Sequence, residues 1–513
     1  MEKLYNNIIL EDNFGDTPSD ALNVPYLKNI PEVICVSVGR QLFVDDFLIE
    51  KTDLVPNYHK AKKYEGNPVL SPVMPWETEG LPVACPKSGG VWYDEDEKIF
   101  KMWYEASWCR NMCYATSQDG INWNREDLGI VKGTNIILPY KHQRGDDPIP
   151  FPNDPTYLRP DSTTVWIDKD APKEERYKLF LRNPGGGYPG IIGISGDGIN
   201  FRDFSYTTLI GDRSTVFYNP FRKKWVHSVR SQDWHGVFER CRIYYECDGF
   251  MDAASWDRSK QHYWMRVDEK DLPHPEIGEK PHLYNVDCVG YESIMLGMFQ
   301  ILYGPDNNTC AKEGRPKITE LIPMYSRDGY HFSRPSRESI INASIKEGTW
   351  DRGYIQSVGG VTVINGDELF IYYIGFSGDA SKSADEESHS NGMYSGGATG
   401  IAKLRRDGFV SMDGKGTLLT RKICFTDKKT MHINACGTVK VELLDKEAKL
   451  LARSSVFSGD STNAKVDLCG FDISSLENKP FRIRFTVDGS LYSFGFADET
   501  GDFGGARAAG VVK

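Results

Sequence analysis

Five segments of the chain repeat one short pattern: Asp-Gly followed within three residues by an aromatic side chain. They are Ser117-Gln-Asp-Gly-Ile-Asn-Trp123, Ser195-Gly-Asp-Gly-Ile-Asn-Phe201, Glu246-Cys-Asp-Gly-Phe250, Ser326-Arg-Asp-Gly-Tyr-His-Phe332 and Arg405-Arg-Asp-Gly-Phe409. Their aspartates fall at 119, 197, 248, 328 and 407, at intervals of 78, 51, 80 and 79. Asp-Gly between extended runs marks a tight turn, because glycine accepts the positive φ that such a turn demands. The turns also sit in similar larger units. Runs such as Ser88-Gly-Gly-Val-Trp-Tyr-Asp94, Ile99-Phe-Lys-Met-Trp-Tyr104 and Met112-Cys-Tyr-Ala-Thr116 precede the first. Ser162-Thr-Thr-Val-Trp-Ile-Asp168, Tyr177-Lys-Leu-Phe-Leu181 and Gly190-Ile-Ile-Gly-Ile194 precede the second. Such β-branched and aromatic runs are strands, and about four short strands per unit make a propeller blade. The repeat therefore predicts an all-β fold with a five-bladed β-propeller over residues 40–415, behind an N-terminal extension of residues 1–39. On this reading the later first strands are Ser214–Tyr218, Ser293–Phe299 and Ser357–Val363. Beyond it, Val439-Lys-Val-Glu-Leu-Leu444 and Phe481-Arg-Ile-Arg-Phe-Thr-Val487 alternate apolar with polar residues. That is the signature of half-buried strands, and it predicts an accessory β-sandwich over 416–513.

Several classes are excluded early. The net charge is −11, from 61 Lys plus Arg against 72 Asp plus Glu, so no basic footprint marks a nucleic-acid or anionic-membrane partner. No apolar run reaches membrane-spanning length, and Ile8–Leu10 is too short for a signal-peptide core. The eleven cysteines include no Cys-x-x-Cys pair and no zinc spacing, and they read as reduced thiols of a cytosolic protein. No metal or other cofactor is expected, and the oligomeric state is not encoded in any visible motif.

In a propeller the innermost strands line the central channel, so the residues at their heads converge at one mouth. Those heads read Lys87, Asp161, Asp212 with Arg213, Glu292 and Gln356, each directly before a serine. Carboxylates on separate blades around one axis suit acid–base chemistry at a glycosidic bond, where one carboxyl protonates the leaving oxygen and another attacks or activates water. Asp161 and Glu292 are the leading catalytic candidates, followed by Asp212. Asp45, one of two acids inside the apolar run Gln41-Leu-Phe-Val-Asp-Asp-Phe-Leu-Ile49, is a fourth. Lys87, Arg159, Arg213, Arg230 and Arg242 form a candidate anion site, with internal ion pairing, an acidic sugar and inorganic phosphate as its three uses. Gln356 joins them as a binding candidate. Trp108 and Trp234, flanked by polar residues, are candidates for stacking on a sugar face. The polar insertion 378–397 reads as a loop over one propeller face and carries His389, a further candidate.

The chain resembles the five-bladed propeller glycoside hydrolases, the broad group that includes invertase-like fructosidases and arabinanases. The resemblance covers the propeller and rests on Asn67-Pro-Val-Leu-Ser-Pro72, Trp76-Glu77, the blade pattern and Arg159-Pro-Asp161. It implies that Asp161 stabilises the transition state and that Asp212 or Glu292 is the acid. Those enzymes hold an aspartate nucleophile at the head of the first blade, where this chain has Cys85-Pro-Lys87. The expected function is a glycosidase acting on an oligosaccharide in a central pocket. An inverting glycoside phosphorylase and a non-catalytic glycan-binding propeller are the alternatives. Inversion follows if Asp161 and Glu292 face each other across a wide channel.

Overall fold

The computed structural model of the protein describes residues 1–139, 161–182, 189–234, 236–379, 381 and 392–512. Five antiparallel sheets stand around one axis as the blades of a propeller. Every Asp-Gly follows the third strand of its blade: Asn111–Ser117, Pro189–Ser195, Val237–Cys247, Ile318–Ser326 and Gly397–Arg405. At three of them the chemistry is the same. The Ser117, Ser195 and Ser326 hydroxyls accept the N–H of Gly120, Gly198 and Gly329, whose φ values are +73°, +74° and +81°. The aspartate then accepts the next two N–H groups, so the turn is satisfied from within.

Blade four corrects the sequence reading. Its inner strand is His282–Glu292, and the segment expected to open the blade lies in the second strand, Ile294–Gly304. Tyr291 pairs with Ile294, so Glu292 and Ser293 form the hairpin turn itself. Inner strands begin at the mouth and end at the opposite face, which puts Glu292 on that opposite face. Asp287 and Asn285 hold the position on blade four that Glu292 was expected to fill.

The chain's two ends close the structure. Lys62–Lys63 pairs with Ala402 and Lys403 and supplies the outer strand of blade five. At the end of the channel away from the mouth, Ala506–Arg507 pairs with Tyr291 and Glu292, and Val511–Val512 runs parallel to Ile364 and Asn365. The Tyr93 N–H donates to the Ala509 carbonyl at 2.8 Å, so this tail laces blades one, four and five together. A β-carbon on Gly510 would meet the Tyr93 carbonyl oxygen at 2.2 Å, and glycine is required there. Between blades, Trp92 packs edge-on against Trp166 at 4.6 Å, and Trp166 against Trp225 at 6.0 Å.

The C-terminal region contains the expected alternating strands, joined into one curled ten-stranded sheet. Its longest members, Thr430–Asp445 and Phe481–Ala497, run side by side along their whole length. Ile34–Cys35 belongs to the same sheet, and so do Gln41–Leu42, Ile49–Thr52 and Val55–Tyr58, which fall within the 40–415 expected of the propeller but join no blade. Phe43, Phe485 and Phe494 pack together in its core.

Candidate active site at the propeller mouth

The heads of the inner strands meet as a hydrogen-bonded ring. The Arg213 N–H donates to the Ser162 hydroxyl at 2.9 Å, joining blades three and two. Arg242 donates to the Arg213 carbonyl at 2.6 Å and to the Asn285 side-chain oxygen at 3.1 Å, joining three and four. The Ser357 hydroxyl donates to Asp287, joining five and four, and the Gly359 N–H donates to the Lys87 carbonyl at 3.2 Å, joining five and one. Lys87, Ser162 and Arg213 all have left-handed backbones, with φ of +44°, +53° and +57°. Non-glycine residues hold such conformations only where the surroundings over-determine them, and such positions cluster at functional sites.

At the centre of blades one and two lies a buried cluster of charges. The Lys87 ammonium is 2.7 Å from Glu105 and 3.7 Å from Asp161. Arg182 holds the other oxygen of Asp161 at 2.7 Å, and the Ser162 hydroxyl donates to Asp161 at 3.1 Å. Glu105 also accepts the N–H of Ser162 at 3.2 Å and of Cys109 at 3.3 Å. The two carboxylates are pushed in opposite directions. Burial and the charge of Asp161 raise Glu105 above the usual glutamate range, against the pull of Lys87. Burial would raise Asp161 too, but Lys87 and Arg182 outweigh it and hold Asp161 below the usual aspartate range. Burial would deprotonate Lys87, yet Cys109, Glu105 and Asp161 together raise it, so it stays an ammonium.

Glu105, Cys109 and Asp161 bring three ligand-type atoms within 4.8 Å of one another. The Lys87 ammonium already stands among them and supplies the positive charge a metal would bring. The donor set fits a lysine better than an added cation.

The candidates divide clearly. Lys87, Asp161, Arg213 and Gln356 are brought together at the mouth. Asp212 is near, but it pairs with Arg230, so these two satisfy each other. Arg242 is fully buried behind the ring and donates to the backbone. Burial, then Arg213 and Arg230, lower it to about 9. The Trp108 ring carries the Lys87 ammonium at 3.9 Å and stacks on Tyr394 at 4.3 Å, so its π surface is used within the protein. Glu292 does not join the site. It lies five residues beyond Asp287, roughly 16 Å along a strand rising about 3.3 Å per residue. Arg406 holds it there at 3.0 Å, and the Arg40 N–H donates to it at 3.1 Å. Asp45 does not join either, because Arg327, beside the blade-four Asp-Gly turn, binds it at 2.9 Å. Arg159, His389 and the Trp234 side chain lie outside the described residues.

Glu105 was missed. It closes the second strand of blade one, Ile99–Ala106, opposite Cys85. The visible signal was an acid ending a run of apolar and aromatic residues, one hairpin arm away from Lys87. Two clefts of about 960 and 860 Å³ lie between the N-terminal extension and blade three and hold none of the head residues.

No family model matches the chain, and no curated protein matches it. Among solved structures, it is similar to an N-acetylgalactosamine deacetylase from F. plautii in complex with blood group B trisaccharide. The identity is 14%, the match covers 70% of this chain and 96% of that one, and the TM-score is 0.43. A β-1,2-mannobiose phosphorylase from Listeria innocua matches at 11% identity over 67% of this chain and 96% of that one, with a TM-score of 0.43. An arabinoxylan arabinofuranohydrolase of glycoside hydrolase family 43 from Bacillus subtilis matches at 11% identity over 86% and 99%, with a TM-score of 0.37. At such distances the likeness bears on architecture alone, and the chemistry rests on the residues at the mouth.

Proposed function

We propose that the protein is a glycosidase that cleaves an oligosaccharide at the propeller mouth, with Glu105 as general acid and Asp161 as the ionised partner. The carrying observation is the pair of neighbouring carboxyls whose surroundings push one toward the protonated and the other toward the ionised form. Separating two titratable groups in this way is how one site assigns its acid and its base. One oxygen of each lies within 4.8 Å of the other. This closeness fits the retaining arrangement, in which carboxyls stand about 5–5.5 Å apart, better than the inverting one at about 6.5–9.5 Å. The expectation of inversion required Glu292 in the channel. With Glu105 in its place, Asp161 becomes the nucleophile or the charge that stabilises the developing oxocarbenium ion. Lys87, donating to Glu105, fixes that carboxyl's orientation.

The cationic heads Lys87 and Arg213 support a second reading, in which inorganic phosphate rather than water accepts the glycosyl group. Dependence of turnover on added phosphate separates the two. For either reading, Glu105→Gln and Asp161→Asn keep shape and remove the titrating group. Each is expected to lower turnover of an active oligosaccharide by at least about a hundredfold, the low end of acid–base contributions, with folding intact by circular dichroism. Full activity in both variants removes the assignment. Binding without turnover in the unmodified protein establishes a glycan-binding propeller instead.

A further inference from the structure

Arg213 is buried, at 3% exposure, yet among the described residues its Nε, Nη1 and Nη2 atoms have no hydrogen-bond partner. Its main chain is fully engaged by Ser162 and Arg242, so the backbone is fixed while the guanidinium is left unmatched. Both ends of the Gln356 amide, fully buried at the head of blade five, are likewise without partners among the described residues. The nearby acids have other partners. Lys87 and Arg182 hold Asp161, Arg230 holds Asp212, and Asn285 and Ser357 hold Asp287. A buried guanidinium without a counter-charge is strongly disfavoured, and its planar fork matches two coplanar oxygens. Arg213 precedes the inner strand of blade three, where its N–H meets Ser162 of blade two, and Gln356 lies in the inner strand of blade five, so both belong to the ring of strand heads.

Resting on the glycosidase reading, we infer that Arg213 and Gln356 form a subsite for an oxyanion of the substrate, and that this oxyanion is the carboxylate of an acidic sugar, a uronic or ulosonic acid. Arg213 offers the bidentate fork, and Gln356 offers an amide N–H to the carboxylate and an acceptor to a neighbouring sugar hydroxyl. Free inorganic phosphate shares the oxyanion chemistry. It suits the site less, because Lys87, the other cationic strand head, is already committed to Glu105 and Asp161.

The test measures binding by calorimetry, which does not require turnover. The probes are oligosaccharides ending in glucuronic, galacturonic or a ulosonic acid, the methyl esters of the same compounds, and inorganic phosphate. The unmodified protein is expected to bind at least one acid about ten- to a hundredfold more tightly than its ester, the range for hydrogen bonds to charged groups. Arg213→Gln is expected to erase that preference, and Arg213→Lys, which keeps charge but loses the fork, to restore only part of it. The ester comparison uses the unmodified protein and stands even where a variant fails to fold. Equal binding of acid and ester, or Arg213-dependent binding of phosphate with none of the acids, overturns the inference. Arg213-dependent binding of an acid without cleavage sustains it while removing the glycosidase reading. Cleavage of neutral sugars unaffected by Arg213→Gln does the reverse.

Discussion

Lys87 stands where the resembling enzymes carry an acid, and its neighbours show how a cation is accommodated there. Its burial, at 1% exposure, is tolerable because Asp161 lies within ion-pair distance at 3.7 Å and Glu105 accepts from the ammonium at 2.7 Å. The same arrangement sets a pH dependence. Asp161 must be ionised, and its folded pKa lies below the ordinary 3.8. Glu105 must be protonated, and its folded pKa lies above the ordinary 4.5. A bell-shaped profile of kcat/KM is therefore expected, its acid limb below 3.8 and its alkaline limb above 4.5. Asp161→Asn should abolish the acid limb in whatever activity remains, and an acid limb unchanged in that variant would contradict the assignment. Half of the proposed site was legible in the sequence. Lys87 and Asp161 could be found by aligning the heads of first strands, because the repeat gives their spacing. Glu105 could not, because it reaches the same place from the far end of a second strand, and that convergence exists only once the hairpin closes.

At the scale of elements, the legible parts were those with a chemical marker. Asp-Gly announced the turn after each third strand, and at Gly120, Gly198 and Gly329 the glycine takes a positive φ that other residues adopt only with strain. The hairpin joining His282–Glu292 to Ile294–Gly304 has no such marker. Glu292 itself adopts the left-handed backbone, at φ +48°, and Asn285 and Asp287 break the apolar run that would have revealed an inner strand. Blade four was therefore read one strand late, and Glu292 was assigned to the wrong face. Its surroundings define a different role. It links the propeller to Arg40 and Arg406 at the boundary with the C-terminal sheet. Glu292→Gln is expected to destabilise the protein by about 3–5 kcal/mol, as for breaking a buried ion pair, with kcat unchanged at a temperature where the variant is folded. Chemical denaturation and steady-state kinetics together check this, and a fall in kcat without loss of stability would restore Glu292 to the active site.

Across the whole molecule, the ends of the chain are joined to its middle. The outer strand of blade five comes from residues 62–63, and the curled sheet takes strands from both sides of the propeller. The propeller was legible because its units repeat. The sharing of strands was not, because pairing between residues some 370 apart, such as Thr52 with Leu418, leaves no local trace. Deleting residues 505–513 removes the strand pairs to Tyr291–Glu292 and to Ile364–Asn365 together with the Tyr93 contact. The truncated protein is expected to melt at least about 4 °C lower, more than the roughly 2–4 °C that about 1 kcal/mol shifts a large domain. An unchanged melting temperature would show the tail to be dispensable. That tail also bears on how the protein is made. Translation runs from one end, so a ribosome can release four blades' worth of strands while the underside of blade one still lacks its final backbone partner. The ring is thus sealed late, by residues synthesised after all five blades, and a chain halted before Gly505 would leave translation with its inner strands still open at the base.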